Sequence, residues 1–338
     1  MGSALKTRRL GKTGPTVSAV GLGAMGMSDF YGPADREESL ATLRAALDEG
    51  ITLVDTGDFY GSGHNELLVG EAMRGRHRDG IVISVKFGAL RDPRGGFTGY
   101  DLRPASIRNF LAYSLKRLDA DHIDLYRPAR MPPGTDVEGV MGTLAELVKT
   151  GDIRHIGLSE VSAETLRRAA AVHPIADLQI EYSLASRGIE TDILPTAREL
   201  GIGITAYGVL SRGLLSGHWT QDRALARGDF RSFSPRFRGE NLERNLRLVD
   251  ALREVARRKG VTVAQAAIAW ALSRGEDIVP LVGARTRPRL NEALGALEVT
   301  LTGPDLEAIE RAVPHHQVAG SRYPERAMAD LDSERGPR

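Results

Sequence analysis

At 338 residues the chain exceeds one average domain of about 150 residues, yet it lies within the range of a single α/β barrel. With 41% hydrophobic and 26% charged residues it can bury a sizeable core, which excludes disorder and collagen-like repeats. Lys plus Arg number 45 against 44 Asp plus Glu, a formal charge of +1 that argues against nucleic acid as a main partner. Cysteine is absent, which removes disulfides, thiolate nucleophiles and Cys-ligated metals. The first residues lack the apolar core of a signal peptide, and no run of about 18 apolar residues suggests a membrane span. The expectation is a cytoplasmic protein with no membrane partner.

Taken in chain order, Gly11, Gly14 and Pro15 between Leu10 and Val17 read as a hairpin that caps one end of the fold. Short β-branched runs then alternate with helical periodicity. The strands are 17–21, 52–55, 81–86, 123–126, 155–158, 178–181, 203–206 and 278–282; the helices are 36–48, 65–73, 104–117, 137–149, 163–172, 192–199, 263–273 and 289–297. Eight such units with no Pro/Gly/Ser linker predict one α/β domain over 1–338, a (β/α)8 TIM barrel rather than two nucleotide-binding halves. Asp35 with Glu38, Thr262 with Gln265 and Thr302 with Asp305 each place a cap three residues before an acid or amide. Thr302 thus opens a helix beyond the eighth unit. A second extra helix is read over 240–259, where Leu242, Leu246, Val249, Leu252, Val255 and Ala256 keep helical spacing. Segment 217–239 is rich in arginine, carries Trp219, Phe230, Phe233 and Phe237 and has no clean period, which reads as a long functional loop or a solvated insertion. The polar tail 315–338 is expected to be only partly ordered, with frayed last residues.

In such a barrel the reactive residues gather at the C-terminal ends of the strands. The second strand runs into Val54-Asp-Thr-Gly-Asp-Phe-Tyr-Gly61 and the third into Val85-Lys-Phe-Gly88. Asp55, Tyr60 and Lys86 therefore come to one rim. An ammonium beside a phenol favours phenolate, and a carboxylate behind the ammonium keeps it charged, so the trio is a tunable proton donor. The same residues also suit a structural Lys86–Asp55 ion pair with Tyr60 packed on the rim.

These motifs, with Val20-Gly-Leu-Gly-Ala-Met25, Ile156-Gly-Leu-Ser159, Gln179-Ile-Glu-Tyr-Ser183 and Ala206-Tyr207, resemble the aldo-keto reductases, NADPH-dependent barrels that reduce aldehydes and ketones. The resemblance runs from Leu10 to about Pro314. Pro235-Arg-Phe-Arg-Gly-Glu-Asn241 and Gly320-Ser-Arg-Tyr-Pro324 are similar to a bacterial, plant and fungal branch that includes pyridoxal reductases. It implies that 240–259 and the helix after Thr302 are the family's two accessory helices. It further implies that Tyr60 is the general acid, tuned by Lys86, with Asp55 holding Lys86. The family's His at the end of the fourth strand is replaced: in Leu125-Tyr-Arg-Pro-Ala-Arg130 the matching residue is Ala129. Either water or another donor then fills the gap; strand alternation puts Arg127 on the same side as Ala129 and Arg130 on the other, which makes Arg127 the first candidate, or else a counter-ion of Asp55 or another rim carboxylate.

For the cofactor, the resemblance implies that Gly23, Ala24, Met25 and Asp55 line the site, that Ser159, Glu160 and Gln179 hold the nicotinamide carboxamide, and that Tyr207 stacks on its ring. Glu160 stands where the family usually has Asn. The loop Gly208-Val-Leu-Ser-Arg-Gly-Leu-Leu-Ser-Gly217, through Gly208, Leu210, Arg212 and Gly213, is implied to carry the pyrophosphate. After the eighth strand, Gly283-Ala-Arg-Thr-Arg-Pro-Arg-Leu290 brings Arg285, Arg287 and Arg289 to a helix start, an anion site suited to a 2′-phosphate and hence to NADPH over NADH. Ala293 stands where the family often has Asn against the adenine.

The histidines His64, His122, His155 and His173 are scattered, His315 and His316 form a tail pair, and no metal is expected. Two function classes follow: a reductase of small-molecule carbonyls to alcohols, favoured by Asp55, Tyr60 and Lys86, and an NADPH-binding regulatory barrel with little turnover, favoured by Ala129. A phosphate-binding isomerase barrel would need a different acid-base pair at the rim.

Overall fold

In a computed structural model that describes residues 5–335, the chain opens with an antiparallel hairpin of β1 (Thr7–Arg9) and β2 (Thr16–Ser18). The hairpin turns tightly at Gly11, which has φ +63°, and there the backbone touches Ala176 and Gly201 so closely that a Cβ would lie 2.6 Å from two carbonyl oxygens. That contact plugs one end of the barrel. Eight parallel strands follow: β3 (Gly21–Gly23), β4 (Leu53–Gly57), β5 (Val82–Phe87) and, after the short hairpin β6 (Ala89–Arg91) and β7 (Phe97–Tyr100), β8 (Ile123–Pro128), β9 (Ile153–Ser159), β10 (Asp177–Glu181), β11 (Gly203–Tyr207) and β12 (Ile278–Val282). They close in that order, with β12 paired to β3.

Around the barrel lie α1 (Arg36–Asp48), α2 (His64–Met73), α3 (Pro104–Leu118), α4 (Val137–Thr150), α5 (Ala163–Val172), α6 (Ile193–Leu200), α8 (Val263–Leu272) and α9 (Arg287–Leu294), with α7 (Gly239–Lys259) preceding α8 in the chain. The accessory helices are α7 and α10 (Gly303–Ala312), packed on each other; a short α11 (Glu325–Ala329) follows. The Thr262 and Thr302 capping boxes form, and Asp35 caps α1. Inside the barrel, Leu53, Val82, Leu125, Val279 and Leu281 make an apolar floor with Leu10 and Val17 of the hairpin. Above that floor the interior turns polar, which sets the level of the site.

Three expectations need correction. The first barrel strand is 21–23, not 17–21: residues 16–18 belong to the hairpin, and the two glycines of the true strand carry no β-branched signal. Segment 217–239 is not a solvated insertion. It forms short helical turns at Phe230–Ser232 and Pro235–Phe237, buries Trp219, Arg231, Arg236 and Phe237, and clasps the loop after β3 through Phe230 N–H to Phe30 O at 2.7 Å. The tail also returns to the body: Arg322, Leu331 and Asp332 are buried. Its polar sequence conceals that anchorage, which runs largely through ion pairs such as Arg322 with Glu160. The fraying expected of the last residues falls in part on 336–338, outside the described residues.

Candidate active site

Halfway up the barrel the register sets Asp55 beside Ser84 and Gly57 beside Lys86 on β4 and β5, then Lys86 beside Arg127 on β8. Because alternate residues point inward, these pairs converge on one interior layer. Asp55 accepts from Lys86 Nζ, from Ser84 Oγ at 2.7 Å, from Arg127 Nη1 at 2.9 Å and from Gln179 Nε2 at 2.8 Å. Burial alone raises the Asp55 carboxyl, but Lys86 and Arg127 outweigh it and hold it below the usual range. Burial also lowers the Lys86 ammonium to about 8, with Asp55 opposing and Arg127 adding to the fall.

Tyr60 reaches this layer through a sharp turn. Its successors Gly61, Ser62 and Gly63 all have positive φ, and Gly61 N–H donates to Asp29 Oδ2 at 3.2 Å. Lys86 Nζ lies 5.2 Å from the Tyr60 ring centroid, and Phe30 and Phe59 pack edge-on against the ring at 6.1 and 4.7 Å. The phenol makes no hydrogen bond to any described residue. Burial raises its pKa well above the ordinary value, with Asp55 adding and Arg130 opposing. Asp55, Tyr60 and Lys86 are thus brought together, with the phenol held in its protonated form.

Arg127 and Arg130 exchange the positions that strand alternation assigned them. Arg127 is fully buried and held between Asp55 and Asp177, the latter at 2.6 Å, with Ser84 as a further partner. Gly157 makes the space: a Cβ there would lie 2.3 Å from Asp177 Oδ1 and 3.0 Å from Arg127 Nε. Arg130 instead lies at the rim, donating to Ala129 O at 2.6 Å, Ser159 Oγ at 3.3 Å and Tyr323 Oη at 3.4 Å. The reason is local. β8 ends at Pro128, so two-residue alternation stops before Ala129 and Arg130.

Next along the rim, Ser159 and Gln179 are register partners on β9 and β10, and Tyr207 ends β11. Glu160, implied to meet the carboxamide, is taken up by the protein. Its carboxylate accepts from Arg322 twice at 2.9 Å, from Ser333 Oγ, from Tyr207 Oη at 2.7 Å and from Glu181 N–H at 3.0 Å. Burial opposes ionisation of Glu160, but Arg322 outweighs it and depresses the carboxyl. Tyr207 Oη also meets Tyr323 Oη at 2.9 Å, so two tail residues fix the Tyr207 ring. Arg212 too is engaged by the protein, donating to Glu181 and to Arg322 O and lying 4.3 Å over the Tyr323 ring.

Gly23, Ala24 and Met25 lie beside Asp55, with Ala24 N–H bonded to Asp55 O. Gly208, Arg212 and Gly213 adopt positive φ in the loop after β11, around Leu210. Gly283 opens the next loop, where a Cβ would meet nothing within 4 Å. Of the three arginines at α9, Arg287 is spent on Glu38 at 2.8 Å, Arg285 donates to Tyr31 O and Pro33 O at 3.1 Å, and Arg289 pairs within its helix with Glu292. Arg223 joins them from segment 217–239. Burial lowers its guanidinium, as do nearby Arg231, Arg285 and Arg289, and it stacks 4.7 Å over Trp219. Arg130, Arg223, Arg322 and Tyr323 are functional candidates that sequence reasoning missed, although Arg322 and Tyr323 stand inside the quoted Gly320–Pro324 motif. Among the described residues no helix is long and apolar enough to cross a membrane, and no cluster of three or more His, Asp or Glu has metal-holding geometry.

The pattern of the Aldo/keto reductase family matches residues 19–314, which contain all eight barrel strands. The chain belongs to the aldo/keto reductase family. Among relatives in that family, "Probable aldo-keto reductase 1" of Glycine max is 40% identical over 318 residues, 93% of this chain and 91% of that protein. "Aldo-keto reductase yakc [NADP(+)]" of Schizosaccharomyces pombe is 39% identical over 95% of both chains. Among solved aldo/keto reductases, the glycerol dehydrogenase AKR11B4 of Gluconobacter oxydans superposes with a TM-score of 0.83 at 30% identity, covering 93% of this chain and 97% of its own. AKR11C1 of Bacillus halodurans, in its holo form, gives 0.75 at 26% identity over 92% and 97%.

Proposed function

We propose that this aldo/keto reductase family member reduces aldehyde or ketone groups of small molecules to alcohols with NADPH, Tyr60 acting as general acid. The observation that carries this reading is the buried Tyr60 phenol, without a hydrogen-bond partner among the described residues, beside a Lys86 ammonium that Asp55 anchors. The residues present fit the cofactor. Open space over Gly283 and the basic cluster of Arg223, Arg285 and Arg289 suit an adenosine 2′-phosphate, and the name of the fission-yeast relative carries NADP(+). Ser159 and Gln179 are then the carboxamide partners, Tyr207 the ring platform, and the backbone of 208–213 the pyrophosphate cradle.

Bound NADPH supplies the hydride. Tyr60 Oη donates its proton to the carbonyl oxygen as that oxygen gains charge, and Lys86 stabilises the phenolate left behind. Asp55 keeps Lys86 aimed, and Arg127 keeps Asp55 ionised. Phe30 and Phe59, packed on the Tyr60 ring, crowd water away from the phenol.

The experiment is a titration with NADPH followed by a screen of aldehydes, ketones and pyridoxal for loss of nicotinamide absorbance. Tyr60→Phe should lower turnover by about 10²–10⁴-fold while NADPH affinity stays near wild type. A Phe variant retaining more than a tenth of the activity removes Tyr60 from the role. The second reading, a barrel that binds NADPH with little turnover, is favoured by the buried methyl of Ala129. Tight NADPH binding with no loss of absorbance on any substrate of the screen selects it.

A further inference from the structure

The buried cations of the site are nearly all matched. Lys86 and Arg127 share Asp55, Arg127 also holds Asp177, and Arg212, Arg236 and Arg322 divide Glu160 and Glu181. Arg130 is different. Among the described residues it has no carboxylate within salt-bridge reach, and its three hydrogen bonds go to neutral oxygens of Ala129, Ser159 and Tyr323. Those bonds occupy Nη1 twice and Nη2 once, so Nε–H and the second Nη2–H find no acceptor among the described residues. Nε and Nη2 share one planar edge of the guanidinium, an edge built to grip two oxygens side by side.

The edge sits at the reaction centre. Arg130 bonds Ser159 at the end of the neighbouring strand and adjoins Ala129, whose methyl cannot donate, and its charge disfavours protonation of both Tyr60 and Lys86. A half-buried guanidinium with no carboxylate partner among the described residues gains from an anionic ligand. We propose that Arg130 donates to the carbonyl oxygen in place of the missing side chain at Ala129, and that its second donor makes 2-oxo acids, carbonyls with a carboxylate on the adjacent carbon, the preferred substrates. This rests on the carbonyl-reductase reading. One N–H meets the ketone oxygen as it becomes an alkoxide, the other meets the carboxylate, and Tyr60 then delivers the proton. Because the guanidinium stays charged at all working pH, the donor does not titrate. Phe30 and Phe59 pack on Tyr60, and Phe230 bridges Phe30 to Tyr323, an aromatic rim that suits a 2-oxo acid bearing an aromatic side chain.

The test compares phenylglyoxylate with acetophenone, in which a methyl group replaces the carboxylate, using wild type, Arg130→Ala and Arg130→Lys. The wild type should prefer phenylglyoxylate. In Arg130→Ala, kcat/KM for phenylglyoxylate should fall at least 100-fold and the preference over acetophenone at least tenfold, with NADPH affinity within twofold of wild type. Arg130→Lys should keep part of the rate and lose most of the preference, and added guanidinium ion should partly restore Arg130→Ala. Oxalate, which is not reduced, should bind the wild-type NADP⁺ complex in calorimetry and fail to bind the Arg130→Ala complex. Unchanged preference in Arg130→Ala overturns the proposal, as does a uniform loss of NADPH binding and thermal stability without guanidinium rescue. A wild type that binds oxalate through Arg130 but reduces no carbonyl retains the carboxylate site and overturns the reductase reading instead.

Discussion

Arg127 and Asp177 face each other inside the barrel at 2.6 Å, both side chains wholly screened from solvent. Removing one member of such a pair leaves a buried charge without a counter-charge. Arg127→Ala is therefore expected to lower stability by about 3–5 kcal/mol, read by denaturant or thermal unfolding. Rate loss with unchanged stability would return Arg127 to the catalytic role that strand alternation first suggested.

In the proposed reduction, Lys86 sets the alkaline limb of the rate. Burial holds its ammonium to about 8, and reduction needs it charged while Tyr60 stays protonated. The turnover of reduction should be level below that value and fall as pH rises through about 8, whereas Lys86→Met should be slow at every pH. A profile level to pH 10 contradicts the assignment.

Arg223 and Arg289 should discriminate between NADPH and NADH. Loss of one guanidinium that contacts phosphate costs about 1.5–3 kcal/mol, roughly 10- to 150-fold in affinity, for NADPH alone. Arg287→Ala should leave the ratio unchanged, since Glu38 already holds that side chain. The readout is the dissociation constant of each nucleotide by fluorescence. Equal ratios in wild type and in both Arg223→Ala and Arg289→Ala refute the site.

Asp58 makes the fold sensitive to alkali. Burial, with Glu66 adding, pushes its carboxyl up to about 8, and its Oδ1 has no partner among the described residues. The folded protein thus holds a proton that the unfolded chain releases near pH 4, so this contribution is full below about 4 and is lost as pH rises through about 8. Asp58→Asn, which keeps the shape without the charge, should unfold at higher temperature than wild type at pH 9 and lose that advantage at pH 4. Parallel stability curves from pH 4 to 9 would show that Asp58 does not titrate in that range.

Much of this architecture is legible from residue order, and the gaps have physical causes. Seven of the eight barrel strands advertise themselves through apolar β-branched runs; β3 does not, because two of its three residues are glycine. Asp55, Tyr60 and Lys86 are readable because adjacent strands bring their ends to one rim. Arg130 is misplaced by a rule that holds only while the backbone stays extended, and β8 stops two residues too soon. The hairpin of β6 and β7 passes unnoticed, since its three- and four-residue strands have too few buried positions to create a period.

The pairing of Arg322 with Glu160 has a further consequence, for the order in which the chain is made. Residues 322–334 leave the ribosome after every barrel strand, yet they neutralise a carboxylate at the end of β9 and steady the ring of Tyr207. A nascent chain that has finished its eighth strand already has a barrel to close but carries two buried glutamates, Glu160 and Glu181, short of one cation. Neutralisation of that pair thus waits for residues made after the barrel, and a nonsense codon after residue 314 would yield a barrel without the Arg322 and Tyr323 contacts to Glu160 and Tyr207.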